Sequence, residues 1–123
     1  MKVRLRHHSV RVRLTKSEVD ALGQGHDVVS VTGFGSDNDL EFRLVAAAQT
    51  QVRASMHASR IVIAVPVNLV QRWYQSDEVS IEAAQPISEG TSLAILIEKD
   101  FACLTPRPGG DDDDCFSHPG AKA

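Results

Sequence analysis

The chain is 123 residues long and carries 13 Lys and Arg against 16 Asp and Glu, for a net charge of −3. That length suits one domain, which buries roughly two thirds of its unfolded surface, and the acidic total excludes a generalised attraction to nucleic acid. Aromatic residues make up only 5% of the chain, so the core must rest on Val, Ile, Leu and Ala, a composition that favours strands over helices.

Residues 2–7 and 9–14 alternate apolar and polar, as half-buried strands do. Val3, Leu5, Val10, Val12 and Leu14 share one face, and Lys2, Arg4, Arg6, Arg11 and Arg13 share the other. His7 and His8 stand at the turn between these strands, where they read as turn residues. Thr15 with Glu18 forms a capping box, the signature of a helix start. The helix it opens is short, about two to three turns, and Gly23 and Gly25 end it. Asp27 then leads into an alternating strand through Val29 and Val31. A Gly- and Asp-rich turn over residues 33–39 follows, and then a strand through Leu40, Phe42 and Leu44.

The same succession runs again. Residues 51–56 and 60–65 alternate more weakly, and Pro66 opens a second short helix in the manner of a helix-start proline. Trp73 reads as that helix's core anchor. Ser76 and Asp77 follow it, then a strand through Val79 and Ile81, a turn over residues 85–90, and a strand through Leu93, Ile95 and Ile97. A shift of 51 aligns Val10 with Ile61, Val12 with Ile63, Leu14 with Val65, Thr15 with Pro66 and Leu22 with Trp73. A shift of 50 aligns Asp27 with Asp77, Val29 with Val79 and Val31 with Ile81. A shift of 53 aligns Leu40, Phe42 and Leu44 with Leu93, Ile95 and Ile97. The gaps fall between elements, where insertions are tolerated. The expected fold is mainly β (α+β): a single pseudo-twofold barrel from two fused ββαββ repeats, about residues 1–48 and 51–99, with two short helices. The barrel domain is expected to span residues 1–104. Residues 105–123, rich in Pro, Gly and Asp, are expected to form a flexible tail.

The segment Ile61-Val62-Ile63-Ala64-Val65-Pro66-Val67-Asn68-Leu69-Val70, followed by Asp77-Glu78-Val79-Ser80-Ile81, resembles the swapped-hairpin half-barrel of AbrB/MazE-type transcription factors and antitoxins. In such proteins two identical chains interleave their hairpins in one barrel. The resemblance covers about residues 1–99 and implies a pseudo-dimer within one chain. The Gly that usually precedes the motif Asp is replaced here by His26 and Ser76. The whole chain also resembles a small uncharacterised bacterial family, through Lys-x-Arg-x-Arg and the Ser-x-Arg-x-Arg-Leu-Thr-x-Ser-Glu-Val run in residues 2–19 and through Ile-Glu-Lys-Asp-Phe-x-Cys-Leu in residues 97–104.

Three functional classes remain in rank order. The first is a non-enzymatic interaction or regulatory module that binds a protein partner or a second copy of itself. The strand through Val62 and Ala64 is apolar on both faces and calls for a cover. The second is a DNA-binding regulator or antitoxin-like protein that uses Lys2, Arg4, Arg6, Arg11 and Arg13 on phosphates. Against it, the repeat places Val62 and Ala64 where Arg11 and Arg13 stand. The third is a metal-binding protein or enzyme at the junction of tail and barrel, where Cys103, Cys115 and His118 offer thiolates and an imidazole to zinc. The run Asp111 to Asp114 lacks the spacing of a calcium loop and reads as a solvated acidic stretch, attractive to the basic strands. No nucleophile–base order or phosphate-cradling Gly loop marks a catalytic centre. No apolar stretch approaches the roughly 20 residues of a spanning helix, the arginines interrupt any leader-like apolar core, and two cysteines make no disulfide framework. The expectation is a cytoplasmic protein with no membrane partner.

Overall fold

The computed structural model describes residues 1–101. Ten elements follow one another: β1 (Lys2–Arg6), β2 (Ser9–Leu14), α1 (Lys16–Gly23), β3 (Val28–Gly33), β4 (Asp39–Ala47), β5 (Arg53–His57), β6 (Arg60–Pro66), α2 (Val67–Tyr74), β7 (Ser80–Ser88) and β8 (Thr91–Lys99). The protein is mainly β with two helices, in the order read from the sequence. Cys103, Cys115, His118 and the acidic run lie outside the described residues.

The strands divide into two four-stranded sheets. The first has the order β1-β2-β8-β7 and the second β3-β4-β6-β5. Each sheet joins one hairpin from residues 1–48 to one from residues 51–99. At its centre each has a parallel pair, with Val12 opposite Ile97 in the first sheet and Ile63 opposite Leu44 in the second. Their inward rows meet in one core. Val10, Val12, Leu14, Ile81, Ile95 and Ile97 come from the first sheet, and Val28, Phe42, Leu44, Ile63 and Val65 from the second.

The helices close one end of this core. Thr15 caps α1 as expected: its hydroxyl accepts from the Glu18 amide, and the Glu18 carboxylate accepts from the Thr15 amide at 2.9 Å. Val19 and Leu22 of α1 and Val70 and Trp73 of α2 are buried. The Trp73 indole N–H donates to the Val79 carbonyl at 3.0 Å, which meets the need of a buried ring for a polar partner. The helices touch where α1 has no side chain, since a Cβ on Gly23 would fall within the Tyr74 ring. Gln71 then donates to the Gly23 carbonyl at 2.7 Å, satisfying an open helix-end acceptor.

Two sequence expectations are corrected. The strands do not close into a single barrel. Between β5 and β7 a side chain stands in for a ladder: the Gln85 amide accepts from the Ala54 N–H at 2.7 Å and donates to the Ala54 carbonyl at 2.9 Å. Both main-chain groups of Ala54 are thereby used, and β7 adds Pro86, which has no N–H, and a register shift between Pro86 and Ser88. No ladder joins β1 to β3 either. The second correction concerns the match of β3 with β7. Val28 faces Leu44 as Ile81 faces Ile97, so Val28, not Val31, stands where Ile81 stands. An odd slip moves every side chain to the opposite face. Val29 and Val31 therefore point outward, 43% and 57% exposed, while Val79 precedes β7 and serves through its carbonyl.

Candidate functional site

The outer face of the first sheet follows from its register in three rows. Arg6, Ser9, Ala94 and Ala84 form one. Arg4, Arg11, Leu96 and Glu82 form the next, and Lys2, Arg13, Glu98 and Ser80 the third. Alternation along β1 and β2 thus puts all five predicted basic residues on one face. β8 and β7 add a floor of small apolar side chains beside them. A hollow of about 590 Å³ lies over this floor, walled by Arg4, Arg6 and Arg11 on one side and Glu82 on the other.

The five basic residues are not equally available. Glu98 accepts from Arg11 Nε at 2.7 Å and Arg13 Nε at 2.6 Å, with only 13% of its side chain exposed. The Lys2 ammonium lies 3.2 Å from the carboxylate of buried Asp100. Arg4 and Arg6 have no ion-pair partner among the described residues. Of the five they are the two left to receive an anion, and their planar forks suit carboxylate or phosphate oxygens. Sequence reasoning found the five cations but missed Glu98. The signal was its outward phase in β8, between inward Ile97 and Lys99, and it becomes readable once β8 is known to lie parallel to β2.

The outer face of the second sheet has a different character. Its rows are Val29, Arg43, Val62 and Ser55, then Val31, Glu41, Arg60 and His57. Arg43 is held by Asp27 at 2.8 Å and by Glu41 at 3.0 Å, and Arg60 by Glu41 at 2.8 Å. The hydrogen bond from Arg43 holds the Glu41 carboxyl below the usual carboxylate range, against a smaller desolvation effect, and the Arg60 charge adds to it. The bonds from Glu41 and Asp27 in turn secure the Arg43 proton. Arg43 and Arg60 are thus offset by Asp27 and Glu41. A further row holds Val45, Ala64 and Arg53, and Arg53 has no ion pair among the described residues. Val62 and Ala64 stand half-buried on this face.

Other groups have structural uses. His7 and His8 form the expected hairpin turn, their ring centroids 3.9 Å apart, with His8 at φ 53. Burial lowers the pKa of Lys99, against the pull of Asp77 and Glu78. Its ammonium donates to the Ser76 carbonyl at 2.9 Å and lies 5.7 Å from the Trp73 ring centre, tying the end of β8 to the turn after α2. Among the described residues no group of three His, Cys, Asp or Glu side chains is placed to hold a metal ion, and no helix is long and apolar enough to cross a membrane.

Comparison with known proteins finds no match among curated proteins and none among solved structures. A family model does match, over residues 1–120, and the chain belongs to that family, the family of unknown function DUF7009.

Proposed function

We propose that this protein is a non-enzymatic interaction module and that the outer face of its first sheet receives an acidic segment of a protein partner. One observation carries the reading: among the described residues Arg4 and Arg6 have no ion-pair partner, and they stand beside an apolar floor of Ala84, Ala94 and Leu96. Carboxylates of an extended peptide would meet the guanidinium forks while its apolar side chains covered the floor. Glu82 on the far wall disfavours a ligand that is anionic throughout. The test is fluorescence anisotropy with a labelled peptide alternating Asp and Leu. Binding should weaken steeply with salt, since exposed charges are screened. It should fall at least tenfold in Arg4→Ala/Arg6→Ala, with the circular dichroism unchanged. Tighter binding of duplex DNA than of the peptide would overturn the reading.

A second reading, a DNA-binding regulator built from a duplicated swapped-hairpin unit, draws on the pairing register. The shift that carries Val12 to Ile63 and the shift that carries Leu44 to Ile97 convert the central pair of one sheet into that of the other. This supports duplication and the likeness to AbrB/MazE-type chains. The diversion of Arg11 and Arg13 to Glu98, and the pairing of Arg43 and Arg60 with acids on the second sheet, leave such a protein no matched pair of basic faces. It ranks second for that reason.

A further inference from the structure

We infer that β3 is a dimerisation edge, pairing antiparallel with β3 of a second copy of this chain to make one continuous sheet. The inference concerns the second sheet and stands independently of the binding face on the first. Two open sheets have four edge strands, and unpaired edges invite association unless something blunts them. Three are blunted here. β1 carries Lys2, Arg4 and Arg6 along its length. β5 carries Arg53 and His57 and has both main-chain groups of Ala54 occupied by Gln85. β7 carries Glu82, Pro86 and a register shift. The fourth edge, β3, reads Val-Val-Ser-Val-Thr-Gly, with no charge, no proline and no register shift. Its outward side chains, Val29 and Val31, are among the exposed large apolar residues.

The occupant follows from the order of residues along β3. The strand is nearly the same read in either direction about Ser30. Antiparallel pairing centred there sets Val29 against the partner's Val31 and Val28 against the partner's Thr32. Such β-branched cross-strand pairs are the stabilising unit of a sheet. Twofold symmetry makes each contact twice, as an isologous interface requires. The four valines then adjoin on the outer face. Charge permits it: Asp27 falls opposite the partner's Gly33, and its own carboxylate is neutralised by Arg43 at 2.8 Å.

The test is the mass of the full chain by light scattering and sedimentation across a concentration series. It should approach twice the 13.4 kDa of one chain, and Val31→Lys should return it to one chain with the β-sheet circular dichroism retained. Should Val31→Lys fail to fold, a crosslink decides. In a Cys103→Ser/Cys115→Ser background, Ser30→Cys places two thiols across the twofold axis. Directly opposed Cα atoms in such a pair lie about 4.5–5.5 Å apart, within disulfide reach. Mild oxidation should give a covalent dimer with Ser30→Cys and none with Thr91→Cys. A single-chain mass at every concentration, or a dimer that Val31→Lys leaves intact, overturns the inference. So does a crosslink equally strong at Thr91.

Discussion

Glu98 controls how much of the basic face is open to a ligand. Its carboxylate takes one hydrogen bond from each of Arg11 and Arg13, and the same carboxylate would repel an approaching anion. Replacing it by Gln removes the charge and keeps the shape. Glu98→Gln should raise affinity for the acidic peptide severalfold and delay elution from a heparin column. The cost in stability should be modest, about 1 kcal/mol, because more than a third of each guanidinium-bearing side chain is screened by solvent. Glu41 gives a pH signature on the other sheet. Its folded pKa lies below its unfolded one because Arg43 bonds the charged form. The stability it contributes is therefore present above the unfolded pKa and is lost as pH falls through the folded one. Urea unfolding of wild type and Glu41→Gln should differ most near neutrality and converge at acid pH. A gap that stays constant down to acid pH would count against this assignment.

At the level of elements, Gln85 is the link between the sheets at β5 and β7, and its two bonds to Ala54 cannot be remade by a shorter side chain. Gln85→Ala should destabilise by about 1–3 kcal/mol, as two hydrogen bonds of ordinary worth are lost. Hydrogen exchange at the Ala54 amide should rise with it. Most elements were legible in the sequence because they follow local rules. Alternation marked β1 and β2, the match to the first half marked β6, and Thr15 with Glu18 marked the start of α1. The heavy apolar positions Leu22 and Trp73 marked the buried faces of the helices. β3 was legible as a strand and misleading as to its faces. Its bulkier alternating pair, Val29 and Val31, looks like a core row, while the inward row is Val28, Ser30 and Thr32. Alternation reports only that two faces differ, and the pairing of Val28 with Leu44 decides which is buried. Barrel closure was not legible for a similar reason. It depends on one amide side chain and on Pro86 meeting a distant strand. The candidate site divides the same way: its five cations lie within the first hairpin, but the acid that claims two of them arrives from β8.

For the whole molecule, the exchange of hairpins makes each half dependent on the other. Neither residues 1–48 nor residues 51–99 contain a complete sheet, because every sheet takes two strands from each. A fragment of residues 1–48 alone should show no cooperative unfolding transition, whereas mixing it with residues 51–123 should restore the β-sheet circular dichroism of the intact chain. A fragment that folds by itself would mean the paired hairpins contribute little. The two outer faces also give the molecule distinct sides, one carrying Arg4 and Arg6 beside an apolar floor and the other valines beside the paired charges of Asp27, Glu41, Arg43 and Arg60, so a ligand and a second copy need not compete. The order of strands has a further consequence during synthesis. All four strands of the second sheet have left the ribosome once Pro66 has emerged. The first hairpin, made before them, must wait for β8, the last of the described strands to be translated, with the main-chain edge of β2 unpaired in the meantime. The second sheet can thus be completed before the first, which leaves the earliest hairpin longest without its partner strand and its open edge exposed to association.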